Sequence, residues 1–598
     1  MSCQRLASVL ALLLAAISPA RAQYEEIDSP MYRSPELSGP PTVRVFPDGL
    51  QEIWLRALSR PEAEMRLKAA ATIALAHDRG VKGLDATVGP LIAALDAPEK
   101  HPAVRLEIAR TLVALDARDA ASSLFAQLES ASIELRELIE PALARWDHRP
   151  ARKVWLDRLV HATPPRSLTL AIEGLATVRE EKAVAPLWQL ASNRNVASSI
   201  RLDAARALGA IRDKGLESDA GSRRAESSSL IDRMAAALML RRHGGPAAIA
   251  ILRRLARDPQ AAVVAIAAAR LIDIDPKLGL ALAVPGGPAE PLRESADPEV
   301  RLLHVEMVFR LPSVEHVASL ADVLPDPHPD VRIKARQHLK TLAEQKELRQ
   351  AVLDKTSKVL AANDWRGLEQ AAILLAQLDH RPAASRLAQL LIHDRPEAFV
   401  TAAWALRRLA VPAADVPDVY EAVTRYVDGE MKRVAGGQPP PPGRRPYVDM
   451  IDHQLSQLNQ LLGKQKYQPA DKVLRKFIAK RMGLTEGRAA AIWALGLIHE
   501  GKQPDAALVT ALVARLEDVT SIPPEMPPVR RMSAVTLGRM KADAALPTLR
   551  RFWPGVTTNT ATANACGWAI EQITGEKMPP GEPVRRGRLD WFLLPVPK

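Results

Sequence analysis

The sequence predicts an all-α fold, a right-handed α-α superhelix of roughly 12–13 stacked helical hairpins. Three observations point there. The first is composition: 598 residues are 47% hydrophobic but only 4% aromatic. Apolar content carried by Ala and Leu suits helices packed at close range better than a β-sandwich. The second is a recurring segment, a branched apolar residue followed by Arg and then by Ala-rich helical spacing ending in Leu. The third is a shared turn: Leu143 to Ala151 and Leu375 to Ala383 both read Leu-Ala-x-x-Asp-His-Arg-Pro-Ala.

The recurring segment appears as MRLKAAATIAL (65–75), VRLEIARTLVAL (104–115), IRLDAARALGAI (200–211), VRLLHVEMVFRL (300–311), VRIKARQHLKTL (331–342) and VRRMSAVTLGRM (529–540). Its anchors are Arg66, Arg105, Arg136, Leu168, Arg201, Arg233, Val264, Arg301, Arg332, Arg366, Phe399, Arg488 and Arg530. Most steps fall between 31 and 37 residues, and the step from Phe399 to Arg488 is the large exception. Within one unit, Leu202, Ala205, Leu208 and Gly209 recur at the spacing of one helix face. An Asp-x-Arg-x-Ala turn follows at Asp116, Asp147 and Asp379, and then a second apolar-striped helix such as Ala121 to Leu128. Asp297-Pro298-Glu299 and His328-Pro329-Asp330 carry helix-start chemistry, with Pro early in the first turn beside a carboxylate. Helices this short are marginal alone, and one pair cannot bury its own apolar faces. Stacking pair on pair supplies the core.

These segments resemble HEAT repeats of the short class, with units of about 30 residues. The resemblance rests on Asp297 to Arg301, Pro329 to Arg332, and Ser199-Ile200-Arg201 leading into Ala204 to Gly209. It implies that Arg105, Arg201, Arg301, Arg332 and Arg530 join hydrogen-bond ladders between neighbouring units. Leu168, Val264 and Phe399 would break the ladder. The class also includes an iron-dependent hydroxylase with several His-Glu pairs on successive helices. This chain offers one such pair, His499-Glu500, so that metal site does not carry over. Nor does any motif support the bilin lyases of the same class.

The sequence divides as follows. Residues 1–22 read as a signal peptide: Arg5, an apolar run from Leu6 to Ile17, and a small-x-small site at Ala20 to Ala22. Residues 23–46 read as an extended Pro-rich arm, and 47–427 as the HEAT-like array. Residues 428–485 read as a Pro-rich loop with a helical insertion, containing Gly436 to Gly443 and helices over 447–462 and 469–481. Residues 486–575 form further repeats and 576–598 a capping tail, its Trp591 to Leu594 patch expected on the last repeat. Ser218–Ser229 and Ala283–Pro291 read as loop interruptions.

The chemistry is sparse. Cys3 and Cys566 exclude a disulfide framework and any cysteine-based zinc site, and Cys566 reads as a small buried residue. No GxSxG, Walker, GxGxxG or HExxH pattern occurs. His148 and His380 occupy equivalent turns, and His328 shapes a helix start. Trp54, Trp404 and Trp493 fall on Ala/Leu faces and read as core. The expected site list is therefore empty: no catalytic residue, no cofactor, no metal ligand.

The formal net charge is +12, from 81 Lys+Arg against 69 Asp+Glu, spread along the chain. That balance favours acidic protein partners and admits an envelope polyanion, while export argues against nucleic acid. The expectation is an exported scaffold, periplasmic or extracellular after cleavage near Ala22. It would bind protein partners through the concave face and catalyse nothing. The competing expectations are an enzyme or accessory subunit with a site assembled across repeats, of the lyase or hydroxylase type, and a polyanion binder.

Overall fold

A computed structural model describes residues 28–37, 42–44, 46, 49–98, 101–223, 229–280, 292–481, 483–553, 555, 560–579, 584–586 and 591–593. The proposed signal peptide, the Ala283–Pro291 interruption and Leu594 lie outside these residues. Two compact units divide the chain: Thr42–Met307 with Arg585–Lys598, and Met1–Pro41 with Val308–Val584.

Both units are stacks of antiparallel helix pairs. In the first, leading helices Ala63–Asp78, Pro102–Ala114, Ile133–Arg145, Pro165–Thr177, Ser198–Ile211, Leu230–Met239 and Ala261–Ile274 alternate with shorter trailing helices such as Val184–Ser192. In the second, Pro329–Leu342, Trp365–Gln377, Pro396–Leu409, Val448–Lys464, Thr485–Ile498, Pro527–Arg539 and Ala561–Thr574 lead. Successive leading helices pack directly on one another and form a continuous layer in each unit. A two-stranded sheet pairs Thr42–Arg44 with Val584–Arg586.

The anchors mark a structural register. Arg66, Arg105, Arg136, Leu168, Arg201, Arg233, Val264, Arg301, Arg332, Phe399, Arg488 and Arg530 are each the fourth residue of a leading helix. Arg366 is out of register: Leu368 holds the fourth position of Trp365–Gln377, and Arg366 sits at the helix start, over the Trp365 ring. Two further leading helices hold none of the expected anchors. One is Val448–Lys464, with Ile451 at the fourth position, and the other is Ala561–Thr574, with Asn564 there.

The long step from Phe399 to Arg488 therefore contains a regular repeat. Val448–Lys464 packs between Pro396–Leu409 and Thr485–Ile498. The extra length lies in trailing helix Pro417–Ala435 and the segment after it, where Pro442–Tyr447 forms a 3-10 turn. Arg444 of that turn is buried over the Phe399 ring and donates to Gln454 Oε1 at 2.7 Å. The helix expected over 469–481 is confined to Asp471–Arg475, preceded by a 3-10 turn. Within Ser218–Ser229 the first half is not a loop, because Glu217–Arg223 is helical and its Ala220 is buried.

Local chemistry sets the helix ends. Asp116, Asp147 and Asp379 adopt left-handed backbone, with φ of 50°, 53° and 55°. The next amide reaches back in each case, as His148 N–H does to Leu143 O at 2.9 Å and His380 N–H to Leu375 O at 2.9 Å. This is the Schellman termination, and Asp tolerates the left-handed position better than most side chains. The Arg at the fourth position does a second job. Arg201 donates to Ala191 O at 3.4 Å, Arg530 to Leu516 O at 2.9 Å, and Arg332 to Pro327 O at 3.2 Å. Each guanidinium satisfies carbonyls at the end of the preceding hairpin, where the helix dipole favours a cation.

Side-chain ladders join this contact only in places. Arg201 pairs with Asp232, and Arg233 with Asp258. Arg488 forks onto Glu525 at 2.9 and 2.7 Å, with both side chains buried. Arg301 and Arg530 reach backbone carbonyls, whereas Arg105 Nε has no partner. Close approach of the leading layer depends on small residues. A Cβ on Gly538 would stand 2.7 Å from Ala569 Cα, and one on Gly463 would stand 2.6 Å from Ala494 Cα.

Candidate functional site

Buried polar side chains recur on the leading layer of the second unit, along Pro396–Leu409, Val448–Lys464, Thr485–Ile498 and Pro527–Arg539. Trp404 and Arg407 share one face of the first helix, and Gln457 and Gln460 share one face of the second. Glu486 and Trp493 are two turns apart on the third, and Arg531 and Arg539 lie two turns apart on the fourth. Trp404 and Trp493 both occupy the ninth position of their leading helices. The repeat thus places like donors in a row.

The chain's own arm, residues 28–37, lies on that row. Asp28 accepts from Trp404 Nε1 at 3.3 Å and forms an ion pair with Arg407. Its carbonyl accepts from Arg407 at 3.0 Å and from Gln457 Nε2 at 3.1 Å. Gln460 clamps the next residues, donating to Ser29 Oγ at 3.0 Å and accepting from Met31 N–H at 3.1 Å. Pro30–Arg33 forms a single 3-10 turn that drives Met31 into the core, where it is 1% exposed. Tyr32 donates its hydroxyl to Glu486 at 2.8 Å, and its carbonyl accepts from Arg531 at 2.8 Å. Ser34 O accepts from Trp493 Nε1 at 2.6 Å and from Arg539 at 2.7 Å. Four successive repeats therefore read one segment, chiefly through its backbone.

The electrostatics follow from this geometry. Burial acts to raise the Asp28 carboxyl pKa, but Arg407 outweighs it and holds the pKa below the usual aspartate value. Burial beside Glu486 pushes the Tyr32 phenol upward. Burial also lowers Arg539 to about 10, with Glu500 acting in the opposite direction. Arg531 is lowered by burial too. Asp452 positions the Tyr32 acceptor: it accepts from Glu486 N–H at 3.0 Å and Gly487 N–H at 2.7 Å, at the start of Thr485–Ile498. Burial raises the Asp452 carboxyl, with those two amides opposing.

The first unit carries a parallel arrangement. Trp591 packs against Phe46 and Trp54, with ring centroids 5.6 and 5.8 Å apart, and Arg79 lies over its ring at 5.0 Å. Trp54 Nε1 donates to Phe592 O at 2.6 Å. The described tail residues thus dock on the first helices of this unit rather than on the last repeat. The Phe46 and Trp54 rings, 5.6 Å apart, give Trp591 an aromatic seat there.

Trp54, Trp404 and Trp493 are buried, as their Ala/Leu faces imply, at 0%, 3% and 5% exposure. What buries them is less obvious, since each indole N–H holds a segment near one end of the chain. Cys566 is fully buried, and burial pushes its thiol up to about 12. His148 packs on Phe125 and His380 faces Ser357 Oγ at 3.4 Å, both in turns. His328 precedes helix Pro329–Leu342, with its amide on Asp326. His499 pairs with Asp471 of the neighbouring hairpin and not with Glu500, which binds Lys466. Among the described residues no three His, Cys, Asp or Glu side chains converge as a metal site. No helix among them is long and apolar enough to cross a membrane. The Gln457 and Gln460 clamp was missed because a helix rich in Gln reads as solvent-facing. The shared ninth-position Trp was the available signal.

No protein-family model matches the chain, and no curated protein matches it. Solved structures do. Kap95p, from work on its binding to RanGDP, is 14% identical, with 88% of this chain and 72% of that chain covered at a TM-score of 0.48. Importin-β crystallised from ammonium sulfate is 14% identical with the same coverages at 0.45. Yeast importin-β is 14% identical, with 87% and 70% covered at 0.45. By its paired helices, Schellman turns and fourth-position arginines, the chain is an all-α protein of HEAT-like helical repeats.

Proposed function

We propose that this chain is an exported, non-catalytic scaffold that binds protein partners through the leading-helix layer of its second unit. The arm carries the reading. Its stretch from Asp28 to Ser34 is held by four consecutive repeats through indole, guanidinium and amide groups. A surface that grips a short segment by its carbonyls is a peptide-recognition surface, whichever chain supplies the segment. Buried Trp and Arg are also the side chains most often responsible for interface energy. Export is part of the same proposal: cleavage after Ala22 would leave Gln23 as the new terminus, a few residues before Asp28.

Affinity capture of the tagged chain from its native envelope, at low and at high salt, tests this. A protein partner retained at high salt is the expected result, since a desolvated hot-spot interface survives screening. Loss of all partners with added salt would transfer the reading to a polyanion binder. Sequencing the amino terminus of the exported fraction should return Gln23, and an intact Met1 in the cytosol would overturn export.

A further inference from the structure

The arm answers only part of the groove's charge with a carboxylate. Arg407 meets a carboxylate in Asp28. Arg531 and Arg539 do not: Arg531 donates to Tyr32 O, and its Nε is buried with no partner. Arg539 donates to Ser34 O, to Ser34 Oγ at 3.1 Å and to Trp493 O at 3.4 Å, all neutral acceptors. Glu500 acts on Arg539 through space only, its own contact being Lys466 at 2.8 Å. Glu486, an acid on the same layer, is taken by the Tyr32 hydroxyl. Two partly desolvated guanidinium groups thus bind carbonyls and a hydroxyl where a carboxylate would make stronger, charge-assisted bonds.

We propose that the arm is a displaceable occupant, and that the groove's partner is an acidic peptide segment able to form the same turn, with a carboxylate where the arm has Ser34. This rests on the scaffold reading above and specifies its ligand. Recognition through the carbonyls of Asp28, Tyr32 and Ser34 is independent of side chain, so another segment that adopts the same 3-10 turn makes the same bonds. The features that select among segments are a carboxylate at Arg407, an apolar side chain in the Met31 socket, and an acid at Arg539. A tethered arm competes at an effective concentration of about millimolar, so a partner must exceed it in affinity or avidity. The arm therefore sets a threshold that weak or neutral peptides do not pass.

The test uses the full chain and a labelled synthetic peptide spanning residues 28–37, followed by fluorescence anisotropy. Met31→Asp opens the arm without altering the groove, and Tyr32→Ala is a second opening variant should the first perturb the circular-dichroism melt. The opened chain should bind the peptide about tenfold or more tightly than the wild type, whose own arm competes. The same peptide carrying Ser34→Asp should bind the opened chain about fivefold tighter still, and Arg539→Gln in that chain should abolish the gain. Three results would overturn the proposal: equal binding to closed and opened chains, no binding to either opened variant, or no advantage for the acidic peptide. A concentration-dependent doubling of mass in the wild type would also overturn it, by assigning the groove to a second copy. A partner captured at high salt regardless of Arg539→Gln would leave the scaffold reading intact and move it to another surface.

Discussion

Replacing Asp28 by Asn tests whether the arm is held as its geometry implies. The substitution keeps the side-chain shape and the carbonyl bonds to Arg407 and Gln457, but removes the charge that answers Arg407. Arg407 is 4% exposed, which argues for a large cost, yet the Asp28 side chain is 47% exposed and solvent screens the pair. A hydrogen bond to a charged group is worth about 1.5–3 kcal/mol when well buried. Screening reduces this pair to about 1 kcal/mol. That is about a fivefold rise in the released-arm population. Arg33 reports it: its side chain is exposed, but the carbonyls on either side, Tyr32 O and Ser34 O, are clamped. Trypsin can cut after Arg33 only when the arm lifts, so cleavage tracks the open population when closing is fast. Cleavage after Arg33 should rise about fivefold in Asp28→Asn, with cuts elsewhere unchanged. In the wild type the Asp28 contribution should be complete above the ordinary aspartate value of 3.8 and fade as pH falls through the lowered folded value. An unchanged cleavage rate, or a rise shared by every tryptic site, would refute the reasoning.

Other measurements probe the packing beneath the groove. Glu525→Ala strands the buried Arg488 guanidinium and should cost about 3–5 kcal/mol in urea unfolding; adding Arg488→Met should recover part of that loss. Gly538→Ala brings a methyl group into Ala569 Cα and should lower the melting temperature despite better helix propensity, a net loss of about 1–2 kcal/mol. Gly429→Ala, with open space around it in helix Pro417–Ala435, should instead stabilise by about 0.5–1 kcal/mol. Cys566 should resist iodoacetamide in the native chain at mildly alkaline pH and react once unfolded, because burial pushes its thiol up to about 12.

The hairpin repeat was legible because it is a local matter. Helix periodicity, the Asp-led turn and the Arg at the fourth position all lie within one unit of chain, and each recurs. Arg366 is a false anchor because it lies two residues from the true register at Leu368, where no Arg marks the position. Val448–Lys464 escaped as a repeat because Ile451 replaces the Arg and its Gln residues mimic a solvent-facing stripe. Those same Gln side chains are buried, and Gln460 binds Met31 across most of the chain's length.

By itself the sequence determined the helices, their turns and the phase of the repeat, since these answer to spacing and backbone propensity. It also marked Trp54, Trp404 and Trp493 as buried. Only the tertiary structure decided what covers them, the arm for two and the tail for the third. An indole on an apolar face will be buried by any surface of fitting shape. Which segment arrives is settled by contacts between residues hundreds of positions apart, and no periodicity records those.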